Sequence, residues 1–114
     1  MEKLGFDFIH LYGLTESFGP TSLRLLSAVE EKLKTDEKAN LLARQGVRHI
    51  TANHIQVLDE AGKEVPWNGS TSGEIVLLGN TLFSDNYRNQ EATSEAFRSD
   101  GFHTGGYCCS SSKW

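Results

Sequence analysis

The sequence lacks the features that mark several large classes of protein. None of its apolar runs reaches the roughly 18 residues needed for a membrane-spanning helix, and the residues after Met1 lack the apolar core of a secretory signal. Its two cysteines, Cys108 and Cys109, are adjacent, which suits neither an ordinary disulfide nor a zinc site. We therefore expect free thiols and an intracellular protein, with cytoplasm, peroxisome and mitochondrion all left open.

Positive charge is also scarce. The 114 residues include 11 basic and 15 acidic side chains, and the net charge is −4. Lys32, Lys34 and Lys38 lie among acidic residues, which predicts a solvated helix face and no nucleic-acid partner. The histidines show no metal-ligand spacing and are predicted to be structural or surface residues: His10, His49, His54 and His103.

The first half of the chain predicts a short strand followed by helices. Aromatic and branched residues over 6–11 precede Gly13 and favour a buried strand that runs into a turn. Leu26, Val29 and Leu33 recur at helical spacing. A second helix is predicted from an N-cap at Asp36 to about residue 44.

The second half predicts mainly strands. Strands are expected at 55–58 and 74–78, separated by a turn at 59–63, a return beginning at Val65 and a loop over 68–73. Glu74 is interpreted as a strand-end surface charge. A last helix is predicted over about 91–98, and the tail from Cys108 shows no periodicity. These elements together indicate an α+β fold.

The segment Tyr12-Gly13-Leu14-Thr15-Glu16 places several functional groups at a strand end. A hydroxyl beside a carboxylate suits a phosphate with a divalent cation, and an aromatic ring offers a stacking face for a base. Considered alone, the five residues favour an ordinary turn capped by threonine and glutamate. The Ser17 hydroxyl that follows could assist a pocket, but a turn hydroxyl is the favoured interpretation.

Tyr12–Glu16 resembles the Tyr-Gly-x-Thr-Glu motif of the adenylate-forming (AMP-binding) superfamily, which includes acyl-CoA synthetases, luciferases and peptide-synthetase adenylation domains. The stretches 73–80, 91–97 and 100–105 resemble later motifs of that superfamily in the same order. The stretch 43–48 resembles a linker of the short- and medium-chain acyl-CoA synthetase branch. The resemblance covers nearly all of residues 5–105.

The resemblance implies a two-step reaction and a role for each residue of the motif. ATP and a carboxylic acid give an acyl-adenylate, and coenzyme A then takes the acyl group. Tyr12 would stack on adenine, Gly13 and Leu14 would shape the pocket wall, and Thr15 would bond the α-phosphate. Glu16 would bind Mg²⁺, so that Thr15 and Glu16 are the implied catalytic residues.

The sequence also departs from this family. Gly106 stands where the family has an aspartate that binds the ribose hydroxyls, and neither the Pro-Lys-Gly phosphate loop nor the lysine-bearing C-terminal domain is found. We expect residues 1–106 to be a partial AMP-binding domain, the incomplete β-rich portion of the family's N-terminal domain with short flanking helices. Residues 107–114 are expected to be an unrelated tail. The chain alone is expected to be inactive; the alternative is a noncatalytic module that associates with a full-length relative.

Overall fold

A computed structural model describes residues 5–6, 8–44, 46–52 and 54–111. They form two antiparallel sheets of three strands each and two short α-helices, which confirms the predicted α+β class. The strands of the first sheet are β1 (His10–Leu14), β2 (Gly19–Arg24) and β3 (Val47–Arg48), and those of the second are β4 (His54–Leu58), β5 (Asn68–Leu78) and β6 (Phe102–Ser111). The helices are α1 (Thr35–Leu42) and α2 (Gln90–Ala96).

The first sheet is built on a hairpin that a single glycine makes possible. Strands β1 and β2 are joined by a 3-10 turn over Thr15–Ser17, and their register shifts between Tyr12 and Gly13. A Cβ atom on Gly13 would overlap the carbonyl oxygen of Gly19. Only glycine therefore allows the two backbones to approach this closely.

The hydrophobic core lies where the two sheets meet. Ile75 and Leu77 of β5 share one face of the second sheet, because side chains alternate along a strand, and they pack with Phe102 of β6. Tyr12 and Leu14 of β1 pack against this cluster from the first sheet. The predicted motif is thus attached directly to the core.

The helix predicted from Leu26, Val29 and Leu33 is wrong. Residues 25–29 are not helical, and only a 3-10 turn forms at Glu30–Lys32. The Glu30 carboxylate accepts a hydrogen bond from Arg24 at 2.8 Å and another from the Ser27 backbone N–H at 2.8 Å. These local contacts fix the segment as a turn, and the apolar side chains at helical spacing do not form one packed face.

Two segments expected to be irregular are strands. The predicted loop at 68–73 belongs to β5, and residues 107–111 of the predicted tail belong to β6. The two segments pair with each other, since Ser72 lies opposite Cys109 and Gly73 lies opposite Cys108. Backbone pairing supplies the order that their serine-rich composition did not indicate. Residues 112–114 lie outside the described part of the chain.

The buried strand predicted over 6–11 is wrong: β1 begins only at His10, and the apolar side chains of 6–11 are exposed because no other described element covers them. The return predicted from Val65 is only an isolated bridge between Leu58 and Glu64.

The remaining helices agree with the structure within a few residues. Helix α1 begins after Lys34, not at the proposed Asp36 cap, and the last helix covers 90–96 where 91–98 was predicted. In the described ranges, no helix is both long and apolar enough to cross a membrane.

Candidate functional site

The predicted motif lies at the end of β1 and in the turn that follows it. Tyr12 and Leu14 face the core, whereas Thr15 is exposed and Glu16 is half-buried at the start of the turn. The backbone N–H of Phe83 donates to the carbonyl oxygen of Glu16 at 2.8 Å. This bond ties the motif to the segment that follows β5.

Ser17 holds the shape of this turn. Its hydroxyl oxygen accepts a hydrogen bond from the Leu14 backbone N–H at 3.0 Å and lies 2.9 Å from the carbonyl oxygens of Leu14 and Gly19. Ser17 is buried, so the hydroxyl acts inside the turn and does not face a ligand. Its interpretation as a turn hydroxyl is therefore correct.

A large bulge in β6 forms the opposite part of the candidate site. Glu74 pairs with Tyr107 and Val76 pairs with His103, so one residue of β5 lies opposite the three residues 104–106 of β6. A bulge leaves backbone groups without ladder partners and redirects the chain, and bulges are common beside active sites. Gly105, at its centre, has φ +70°, a conformation that favours glycine.

Side chains complete the hydrogen bonds that the bulge interrupts. The Thr104 hydroxyl donates to the carbonyl oxygen of Ile75 at 2.8 Å and accepts from the Gly106 N–H at 3.1 Å. The Gly105 N–H donates to Glu74 Oε1 at 3.0 Å. Each of these contacts satisfies a backbone group that would otherwise lack a partner.

The bulge brings Gly106 beside Tyr12, although the two residues are far apart in sequence. A Cβ atom on Gly106 would lie 3.1 Å from the Tyr12 hydroxyl. Both residues line a cleft of about 230 Å³, together with Ile55 and Ile75 on the apolar side and Cys108 of β6. The two motifs identified in the sequence therefore meet at one place.

This cleft is small for a ligand site. Its volume of about 230 Å³ is below the roughly 300–1,000 Å³ usual for ligand pockets. Position 106 offers no side-chain acceptor.

Among the described residues no group of three or more His, Cys, Asp or Glu side chains could hold a metal ion. Protein-bound Mg²⁺ often uses only one or two carboxylates besides phosphate oxygens, so Glu16 fits as a partial ligand.

Glu74 is half-buried and accepts several hydrogen bonds, and is not the surface charge expected from the sequence. Its carboxylate accepts hydrogen bonds from Arg98 at 2.8 Å and His103 Nδ1 at 2.8 Å, besides the Gly105 N–H. Partial desolvation raises the pKa of Glu74, but the hydrogen bonds from His103 and Gly105 and the charge of Arg98 outweigh it and lower the pKa overall. No sequence signal indicated this role, because the contacts depend on the bulge.

Comparison with known proteins finds similar sequences among CoA ligases. The chain is 40% identical over 105 residues, 92% of its length, to the 4-hydroxybutyrate–CoA ligase 2 of Metallosphaera sedula. It is 39% identical over 106 residues, again 92%, to a peroxisomal acetate/butyrate–CoA ligase of Arabidopsis thaliana. Over nearly its whole length, the chain is therefore similar to a portion of adenylate-forming CoA ligases. It spans about a fifth of the length of these relatives, 19% of each.

A solved structure shares the fold of this chain. The fold matches the O-succinylbenzoate coenzyme A synthetase of Bacillus subtilis with a TM-score of 0.67 at 18% identity, over 93% of this chain and 20% of that one. This likeness concerns the fold alone and confirms that the chain has the architecture of a portion of an adenylate-forming domain. No family model matches the sequence.

Proposed function

We propose that the chain is a segment of an acyl-activating ligase whose parent forms an acyl-adenylate from ATP and a carboxylic acid. In that reaction a carboxylate oxygen attacks the α-phosphorus and pyrophosphate leaves; the sulfur of coenzyme A then attacks the acyl carbon and AMP leaves. The observation that carries the proposal is the approach of Tyr12 to Gly106 in one cleft. Two sequence motifs that the resembled family uses to bind a single nucleotide therefore line the same cleft.

The positions of the motif residues support their proposed roles in the parent. Tyr12 lines the cleft and would stack on adenine. Gly13 and Leu14 follow it in β1 and would shape the pocket wall. Thr15 is exposed and would bond the α-phosphate, and Glu16 would contribute one carboxylate to Mg²⁺. Thr15 and Glu16 remain the proposed catalytic residues.

We further propose that the 114-residue chain does not catalyse this reaction alone. Gly106 has no side-chain carboxylate to accept hydrogen bonds from ribose hydroxyls, and hydrogen bonds to charged groups contribute about 1.5–3 kcal/mol each. The cleft also encloses only part of a nucleotide. We expect no pyrophosphate release when the purified chain is given ATP, Mg²⁺ and short-chain acids such as acetate or butyrate. Sustained release that scales with chain concentration would refute this part of the proposal.

Gly106→Asp tests directly whether position 106 faces a nucleotide bound in the cleft. The backbone at Gly106 accommodates an L-residue, and the nearest obstacles to a Cβ are the hydroxyls of Tyr12 at 3.1 Å and Thr104 at 3.3 Å. We expect G106D to bind AMP at least about tenfold more tightly than the unsubstituted 114-residue chain does, as measured by calorimetric or NMR titration.

The isosteric control is Gly106→Asn, which adds similar volume without the charge. We expect G106N to bind AMP more weakly than G106D. Equal AMP affinities of the parent chain and G106D would mean that position 106 does not face a nucleotide, and would contradict the proposed site.

A second candidate function is a noncatalytic binding module, favoured by an open apolar groove elsewhere on the chain. This groove has a volume of about 960 Å³ and is lined by residues that include Phe6, Phe8, Ile9, Leu25 and Leu42. Through this groove the chain would associate with a full-length relative. Co-elution with a purified full-length CoA ligase at stoichiometric ratio, together with a cooperative melt of the isolated chain, would favour this function over that of an inactive segment.

We also propose an intracellular location. The adjacent cysteines are both free, and the names of two plant relatives include a peroxisomal location. A fluorescent fusion of the chain, imaged beside cytoplasmic, peroxisomal and mitochondrial markers, tests the location and selects among these compartments. Secretion of the fusion would contradict it.

A further inference from the structure

The bulge in β6 requires outside support, because its central residue cannot pair with β5. Gly105 lies at the tip of the bulge, is exposed, and has a left-handed backbone conformation. Its N–H points to the side chain of Glu74, at 3.0 Å from Oε1, and not to a backbone carbonyl. Glu74 therefore takes the place of a missing strand partner at the point where β6 turns toward Tyr12.

Glu74 is itself held by a buried neighbour. Its other oxygen, Oε2, accepts from His103 Nδ1 at 2.8 Å, and the His103 side chain is only 6% exposed. Arg98 reaches the same oxygen at 2.8 Å, but its side chain is 49% exposed. Of these two contacts, the one with His103 is better shielded from solvent, and the Arg98 ion pair is expected to be weaker.

The orientation of His103 in turn depends on Glu74. The second ring nitrogen, Nε2, is buried without a hydrogen-bond partner, so Nδ1 makes the hydrogen bond that fixes the ring. His103 is the last residue of β6 that pairs in register before the bulge, opposite Val76. The Glu74 carboxylate thus contacts the residue that enters the bulge and the residue at its tip.

We propose that Glu74 is a positioning residue that fixes the bulge at 104–106 so that Gly106 lies against the Tyr12 hydroxyl. The effect on the cleft is indirect, because Glu74 contacts Gly105 and His103 and not the cleft itself. The importance of this position for nucleotide binding rests on the proposed function. The support of the bulge by Glu74 does not, and it is tested separately.

Amide hydrogen exchange measured by NMR on the full 114-residue chain tests the support of the bulge. In Glu74→Ala we expect the amides of Gly105 and Gly106 to exchange at least about tenfold faster than in the parent chain. The Val65 amide, which donates to the Val57 carbonyl at 2.9 Å in another part of the sheet, should keep its rate. Acceleration at Gly105 alone, with Gly106 unchanged, would overturn the proposal, because position 106 would then not depend on Glu74.

Two further variants separate positioning from general stability. Glu74→Gln keeps an acceptor for Gly105 without the charge, so both bulge amides should exchange faster than in the parent chain and more slowly than in E74A. Arg98→Gln removes the exposed ion pair and the Arg98 hydrogen bond to the Glu95 carbonyl, neither of which involves Gly105 or Gly106, and should leave both amides unchanged. If E74A unfolds the chain, the Val65 amide will exchange faster by the same factor as the bulge amides. In that case the exchange rates of E74Q decide whether Glu74 supports the bulge. Acceleration of the bulge amides without Val65 supports the proposal, and uniform change or none overturns it.

A ligand-binding measurement connects the bulge with the cleft. AMP should bind several-fold more weakly to the double variant G106D/E74Q than to G106D. Equal AMP affinities of these two variants would overturn the role of Glu74 in positioning the nucleotide wall. If G106D does not bind AMP at all, the proposed function fails, whereas the exchange rates still decide whether Glu74 holds the bulge.

Discussion

Gly13 and Gly106 are both glycines of the candidate site, but their surroundings differ. A Cβ on Gly13 would overlap backbone atoms of Gly19 and approach Pro20 Cα to 2.8 Å, and neither strand can move away without breaking the hairpin. A Cβ on Gly106 would meet two side-chain hydroxyls at 3.1 and 3.3 Å, which can shift. The cost of adding a methyl group should therefore differ strongly between the two sites.

We predict that Gly13→Ala lowers the free energy of unfolding by about 2 kcal/mol or more, as overpacking against rigid neighbours does. Gly106→Ala should change it by less than about 1 kcal/mol, because the lower entropy of the unfolded chain offsets the tight contact. Urea denaturation followed by circular dichroism measures both values. Similar losses in the two variants would mean that the hairpin can relax around a side chain at position 13.

The lowered pKa of Glu74 predicts how stability depends on pH. Its hydrogen bonds from His103 and Gly105 favour the carboxylate in the folded chain, whereas the unfolded chain has an ordinary glutamate. The resulting stabilisation is complete above the unfolded pKa of about 4.3 and is lost as the pH falls through the lower folded pKa. The unfolding free energy of the parent chain should fall more steeply in this acidic range than that of Glu74→Gln. Parallel curves would contradict the assignment.

Single residues of the site differ in how far the sequence could predict them. Tyr12–Glu16 forms a contiguous motif, so its resemblance to the family was visible, although the roles proposed for its residues stay predictions. The positioning contacts of Glu74 depend on a bulge in which three residues of β6 lie opposite one residue of β5, and no local pattern marks a bulge of that size. Gly106 could be identified as a departure from the family, but its distance from Tyr12 could not.

The start of α2 offers a test at the level of a single helix. The side chain of Asn89 accepts a hydrogen bond from the Ala92 backbone N–H at 3.1 Å, which satisfies one of the free donors of the first turn. We predict that Asn89→Ala lowers the free energy of unfolding by about 1 kcal/mol. Asn89→Asp should leave the free energy of unfolding nearly unchanged, because the aspartate side chain accepts the same hydrogen bond. Equal losses in a urea melt would show that the cap does not stabilise the chain.

Helices and strands were predicted correctly where the local sequence pattern agreed with the long-range contacts of the fold. The strands at 55–58 and 74–78 were predicted from apolar composition, and both lie in the second sheet, where their apolar side chains are largely buried. The helix expected around Val29 failed because that side chain is 76% exposed and finds no face to pack against. The strand character of 68–73 and 107–111 was missed because it comes from pairing between the two segments.

The molecule as a whole is less compact than its length suggests. Its radius of gyration is 16.2 Å, whereas about 13 Å is usual for a domain of this length. Many large apolar side chains remain exposed, including Phe8, Ile9 and Leu11 at the start of the chain and Phe18 in the motif turn. Exposed apolar surface of this kind favours association with other protein surfaces.

Strand β1 is the site where we expect such association to begin. It lies at the edge of the first sheet, and Leu11 is 55% exposed there. Unpaired edges with apolar side chains recruit further strands, and a lysine on the edge opposes this pairing. We predict that the parent chain self-associates as its concentration rises and that Leu11→Lys shifts it toward monomer. Light scattering coupled to size-exclusion chromatography measures the mass.

Val29→Lys is the matched control for this prediction, because it adds the same charge at an exposed apolar position outside the described strands. The change in net charge is identical in the two variants, so a general gain in solubility would affect them equally. An effect confined to Leu11→Lys would show that pairing at the β1 edge drives association. A chain that stays monomeric at every concentration, or equal effects of the two lysines, would contradict the prediction that the β1 edge recruits further strands.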